Sequence, residues 1–196
     1  MGISTSINQA LPVLKRILVV GSGGRENALA WALQRSNGIQ RVWVAPGNEG
    51  TQEHPSCDRM VIEETNVSEL LEACFSRHID LVVIGPETPL AAGLADKLRE
   101  AELVVFGPNA NGAKLEASKK WAKDLMEEAG VPTAKYWPVR TEEEGLAILS
   151  QVNTPLVVKA DGLAAGKGVT VPETLVATAK AIKETFDGRF GVAGKQ

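Results

Sequence analysis

The chain has 196 residues, 44% of them hydrophobic and 23% charged, with a formal net charge of −3 at pH 7. These values exclude a disordered or fibrous chain. With no long basic run, they argue against a nucleic-acid surface and for small-molecule chemistry, and no segment reaches transmembrane length, so no membrane partner is expected. Cys57 and Cys74 lack the paired spacing of a zinc or redox motif and are too few for a disulfide framework, which fits a reducing cytoplasm.

The leader MGISTSINQALPVLKR has neither the cationic start nor the apolar core of a signal peptide, and residues 1–14 are expected to be a frayed extension. Ile17, Leu18, Val19 and Val20 then form a short, mostly β-branched run suited to a strand buried on both faces. After Gly21-Ser22-Gly23-Gly24 the apolar residues Ala28, Leu29, Trp31, Ala32 and Leu33 predict a helix beginning near Arg25. Strand-like runs recur at 41–45, 80–84 and 103–106, with a short one at 59–62, and helical patterns occupy 67–77 and 90–101. This alternation predicts βαβ units and an open parallel sheet, an α/β fold with its ligands beyond the carboxyl ends of the strands. Those ends carry GSGGRE, APGNEGT, GPETPL and FGPNANG, loops of small residues that leave room for a crevice.

From Leu115 the pattern changes to a smaller α+β unit. It reads as a helix LEASKKWAKDLMEEAG stopped by Gly130 and Pro132, a strand over 135–139, and a helix over 142–152 with Thr141 as its N-cap. A strand over 156–160, a glycine loop, a strand over 169–171 and a helix over 173–186 follow. Domain limits are expected at 15–112 and 113–196.

Two loops carry chemistry. The turn Gly21-Ser22-Gly23-Gly24 delivers a helix N-terminus, whose free N–H groups and partial positive charge favour an anion such as phosphate. A turn whose glycines merely allow close helix packing would look the same from these residues alone. NAD or FAD is disfavoured, because Glu26 stands where the third fingerprint glycine would fall and Ala45-Pro46 stands where a ribose-binding acid would. In PLVVKADGLAAGKGVTV, Lys159 closes an apolar strand while Gly162, Gly166 and Gly168 surround Lys167. Glycines let backbone approach a phosphate chain, and a lysine ending a buried strand asks for an anion. His54 and His78 have no partner at ligand spacing, all four tryptophans read as packing, and no metal site is visible.

The segments VVGSGGRENALAWAL, VAPGNEGT, DLVVIGPETPLAAGLAD, VFGPNANGAKLEASKKWAKDLMEEAGVPTAKY and PLVVKADGLAAGKGVTV resemble the phosphoribosylamine-glycine ligase family, of the ATP-grasp superfamily. The resemblance runs from Lys15 to Ala193 and implies a pre-ATP-grasp N-terminal domain followed by part of an ATP-grasp subdomain. It implies joining of glycine to 5-phosphoribosylamine with ATP through a glycyl phosphate, in purine biosynthesis. It also implies that Gly21, Ser22, Gly23, Gly24, Arg25, Glu26, Asn48, Gly50, Thr51 and Glu87 line the phosphoribosylamine site. Lys119, Lys159, Asp161, Gly162, Gly166, Lys167 and Gly168 would serve ATP, with 161–168 a flexible loop over the triphosphate. Asn27 stands where the family commonly has histidine; it still donates and accepts hydrogen bonds but does not titrate. Family members run to roughly twice this length, and the resemblance places the ligands of the family's magnesium or manganese ion beyond these residues. The 196 residues alone are therefore expected to be inactive, the alternative being a non-catalytic module that binds a phosphorylated sugar or nucleotide.

Overall fold

The computed structural model describes residues 13–163 and 168–190. The chain divides into two compact units, one built from 1–89 and 93–107 and the other from 90–92 and 108–196.

The first unit is an α/β layer structure around a parallel sheet. Its strands are β1 (Arg16–Gly21), β2 (Arg41–Pro46), β3 (Cys57–Arg59), β4 (Leu81–Ile84) and β5 (Val105–Phe106), in the order β3-β2-β1-β4-β5. Ile17 pairs with Val42 on one side and Leu81 on the other. This central place explains why Ile17 to Val20 are at most 1% exposed. Alternation then divides the strand between two faces. Ile17 and Val19 join Val42, Val44, Val83 and Cys57 around Ala30 of α1 (Gly24–Gln34), with Leu29 and Leu33 packed alongside. Leu18 and Val20 point the other way. Leu70 of α2 (Val67–Ser76) and Leu94 and Leu98 of α4 (Leu94–Glu100) are buried as well.

Several expected boundaries move for local reasons. The pattern over 90–101 is split into α3 (Glu87–Ala91) and α4 because Gly93 adopts a left-handed conformation, φ 83°, between them. The short strand expected over 59–62 lies at 57–59, where Cys57 to Arg59 find ladder partners in Val42 to Val44. Trp31 is not core: it is 48% exposed, and the Arg35 guanidinium lies 4.7 Å from its ring centroid.

The second unit holds α5 (Ala110–Ala117), α6 (Lys119–Glu128), α7 (Glu142–Val152), the antiparallel pair β6 (Val158–Lys159) and β7 (Val169–Thr170), and α8 (Leu175–Glu184). The expected single helix from Leu115 breaks at Ser118. That residue ends α5 in an extended conformation and caps α6, its Oγ accepting from the Trp121 amide at 3.1 Å. The expected strand over 135–139 is instead irregular. Side chains hold it, since Lys123 Nζ donates to Ala134 O at 2.9 Å and Tyr136 OH donates to Asp124 Oδ1 at 2.6 Å. Trp137 there is 41% exposed, so its reading as a core aromatic also fails. The Thr141 cap is as expected, accepting from Glu144 N at 3.2 Å. α7 and α8 then pack together, Gly145 leaving the space that Ile182 fills.

Candidate functional site

The strand order reverses beside β1: the chain runs outward from β1 through β2 to β3 and then crosses to β4 on the other side of β1, and a crevice opens at such a point beyond the carboxyl ends. Its floor is the side chain of Glu26. This carboxylate is 3% exposed; its Oε2 accepts the Gly23 amide at 2.8 Å and its Oε1 accepts Arg25 Nε at 2.8 Å. The glycines around it are spacing devices. A Cβ on Gly85 would overlap the carboxylate, one on Gly21 would meet Pro86 Cδ at 2.9 Å, and one on Gly23 would meet Glu26 Oε2 at 2.8 Å. Gly21 also has φ 130°, a conformation that side chains rarely adopt.

The second loop locks onto the first. Gly47 N donates to Gly21 O at 3.1 Å, and Asn48 Nδ2 donates to the carbonyls of Ser22 at 2.8 Å and Gly23 at 3.2 Å. Thr51, fully buried, holds that loop by accepting the Asn48 amide on Oγ1 at 3.2 Å. Gly50 lies against Asn27, whose Nδ2 is 2.9 Å from where a Gly50 Cβ would sit. From the third loop Glu87 reaches Arg25, Oε2 to Nη2 3.7 Å. Sequence reasoning thus named residues that converge here. It missed two others. His54, expected to lack a partner, bonds Asn27 Oδ1 at 3.0 Å. Glu64 joins the acidic side of the crevice, its pKa raised by burial and by the charges of Glu26, Glu63 and Glu87.

The seat for an anion is displaced from where the glycine turn alone suggests. Because Glu26 already takes the Gly23 N–H, the open end of α1 is at Gly24 and Arg25, whose amides precede the first intrahelical bond, Asn27 N to Gly23 O at 3.1 Å. A Cβ on Gly24 would meet nothing within 4 Å.

In the second unit Asp161 ties the glycine loop to α6. Its Oδ1 accepts the amides of Lys119 and Gly162, the latter at 3.1 Å, and its Oδ2 accepts Ser118 Oγ at 3.0 Å. Lys119 Nζ donates to Gly162 O at 3.1 Å, so Lys119, Asp161 and Gly162 meet. Lys159 is on β6 but exposed, which removes the argument that a buried strand end forces an anion onto it. Gly168 is buried, and Ala160 N donates to its carbonyl at 2.8 Å. Gly166 and Lys167 lie outside the described residues. Among the described residues no group of three or more His, Cys, Asp or Glu is placed to hold a metal ion, and no helix is long and apolar enough to cross a membrane.

Residues 15–116 match the family model of the phosphoribosylglycinamide synthetase N domain, and residues 117–196 match that of its ATP-grasp (A) domain. The chain belongs to the phosphoribosylglycinamide synthetase family. Within that family it is 46% identical over 180 residues to the phosphoribosylamine–glycine ligase of Nostoc sp., a match covering 92% of this chain and 42% of that protein. The chain thus spans less than half the length of such curated relatives. The crystal structure of phosphoribosylamine–glycine ligase from Thermotoga maritima superposes with a TM-score of 0.68 at 30% identity, over 89% of this chain and 40% of that one. The biotin carboxylase domain of Hydrogenobacter thermophilus 2-oxoglutarate carboxylase, solved with MgADP, ADP and bicarbonate, has a TM-score of 0.66. At 19% identity, over 92% of this chain and 43% of that one, it shares with this synthetase-family chain its fold.

Proposed function

We propose that these residues form the phosphoribosylamine-binding part and the leading ATP-binding part of a cytoplasmic phosphoribosylamine–glycine ligase, divided at 15–112 and 113–196. The observation that carries this is the open, interlocked end of α1, with free amides at Gly24 and Arg25 above a carboxylate floor. Phosphate would sit on those amides, with Ser22, Gly23 and Gly21 shaping the turn and Asn48, Gly50 and Thr51 holding its wall. Glu87 and Arg25, paired at 3.7 Å, would face the ribose or its amine.

In the reaction, the glycine carboxylate takes the γ-phosphoryl group of ATP, giving glycyl phosphate and ADP. The amine nitrogen of phosphoribosylamine then attacks the carbonyl carbon, phosphate leaves, and the nitrogen loses a proton. The contribution of the first unit is to bind and orient the amine. Lys119, Lys159, Asp161, Gly162 and Gly168, with Gly166 and Lys167, are assigned to the ATP phosphates. Lys119 and Lys159 would supply charge, and Asp161 would hold Lys119 in place from behind. Magnesium accompanies ADP in the Hydrogenobacter enzyme; the described residues of this chain form no seat for it, and no step is assigned to it.

The test is ribose 5-phosphate binding followed by calorimetry or amide shifts, for wild type against Gly24→Val. The valine Cβ meets nothing within 4 Å and its methyls project toward the seat, so binding is expected to fall by about tenfold or more while the unfolding midpoint changes little. Equal binding by the two proteins would remove the α1 end from the site.

A further inference from the structure

A break in a helix leaves backbone amides that must each find a partner. At the junction of α5 and α6, Ser118 N donates to Lys114 O at 3.0 Å, and the helical pattern resumes with Ala122 N to Ser118 O at 3.0 Å. Between them lie the amides of Lys119, Lys120 and Trp121, which an unbroken helix would bond to the carbonyls of Leu115, Glu116 and Ala117. Each has a substitute. Trp121 N donates to Ser118 Oγ at 3.1 Å, while Lys119 N and, at 3.4 Å, Lys120 N both donate to Asp161 Oδ1. Ser118 Oγ in turn donates to Asp161 Oδ2 at 3.0 Å, so one carboxylate stands behind all three replacements.

Take that carboxylate away and the broken form leaves the Lys119 and Lys120 amides open, whereas a continuous helix satisfies all three. The sequence favours the continuous form: Ala113, Ala117, Trp121 and Leu125 recur at intervals of four straight through the break, and neither glycine nor proline stands beside Ser118 to stop the chain. Ser118 is extended, φ −135° and ψ 114°, against this local preference. We infer that Ser118 is a two-state joint worked by Asp161: while the carboxylate caps α6 the chain is broken there, and when it withdraws residues 110–128 close into one helix. Gly162 follows Asp161 and carries the carbonyl to which Lys119 Nζ donates at 3.1 Å, so the same withdrawal frees that ammonium. The segment bearing Asp161 and the Lys119 side chain are thereby coupled through one element with two discrete arrangements. The joint is independent of the phosphate seat proposed above and of what Lys119 binds.

The test reads backbone carbon shifts and amide exchange in the whole chain, for wild type, Asp161→Ala, Asp161→Asn and Ser118→Ala. In the wild type residue 118 should have the shifts of an extended residue. In Asp161→Ala they are expected to move to helical values, with an Ala117 Hα to Lys120 amide contact, while the Lys119 and Lys120 amides exchange within about threefold of wild type because helical carbonyls have taken over. Asp161→Asn, whose side-chain oxygen still accepts from those amides, should keep residue 118 extended. A residue 118 that stays extended in Asp161→Ala, its neighbours' amides exchanging about tenfold faster, would make Asp161 an ordinary cap and overturn the inference. Should Asp161→Ala fail to fold, Ser118→Ala decides: it removes the substitute partner of Trp121 N and favours helix, so helical shifts at residue 118 support the joint and extended ones overturn it.

Discussion

Glu26 illustrates how far single residues could be read ahead. Its place at the crevice was legible from the resemblance, but its inward turn was not. A capping box is normally announced by Ser or Thr at the N-cap three positions before a Glu. Here the N-cap is Gly23, so half of the signal is missing while the Glu26 half of the bond is made. His54 escaped for a related reason. Its partner Asn27 is far away in sequence, and only the parallel register of β1 and β2 brings their following loops together. The two cysteines give a residue-scale prediction. Burial pushes the Cys74 thiol up to about 11 and also raises Cys57, so neither supplies thiolate near neutral pH. Both are expected to resist iodoacetamide at pH 8 in the folded chain and to react in urea; rapid labelling of the native protein would contradict the burial of Cys57 and Cys74.

Elements were legible where periodicity and caps agree, as in α7, and illegible where one overrode the other. Ser118 lies inside a continuous apolar period, yet its hydroxyl capping α6 and the Asp161 carboxylate across from it end one helix and start the next. The strand over 135–139 failed because β propensity needs a ladder partner, and Lys123 and Asp124 offered that segment side-chain bonds instead. At the opposite end of the sheet Asp80 links β1 to β4, accepting the amides of Lys15 at 2.9 Å and Arg16 at 2.8 Å. Burial alone would raise its pKa, but those amides and the Arg16 guanidinium outweigh it and hold the carboxyl below its usual value. A depressed carboxyl stabilises the fold above the ordinary carboxylate range and loses that contribution as pH falls through the lower folded value. Asp80→Asn is therefore expected to cost about 1 kcal/mol at pH 7 and nothing near pH 2, measured by urea unfolding at both. An equal loss at both pH values would show that the charge is not what matters.

At the scale of the whole molecule, composition and alternation were sufficient for an α/β sheet with loops at one edge, because every strand of the first unit pairs in parallel with its neighbours. The second unit was less legible, since its strands have two residues each and Val157, Val171 and Val176 are 50%, 71% and 81% exposed, leaving periodicity little burial to report. The relatives it matches are more than twice its span. These 196 residues are accordingly expected to bind ribose 5-phosphate yet to form no glycinamide ribonucleotide from phosphoribosylamine, glycine and ATP; product detected by mass spectrometry from the purified chain would refute that. The sheet order also matters for synthesis. Of the five strands of this sheet β1 is the earliest in the chain and the middle one in space, with β2 and β4 as its neighbours. A nascent chain therefore exposes Ile17 to Val20 before either neighbour exists, and after β2 emerges one flank stays open until Leu81 to Ile84 arrive. Through that interval the apolar run Ile17 to Val20 is a free edge, the part of the sheet most open to pairing with another chain before the fold is complete.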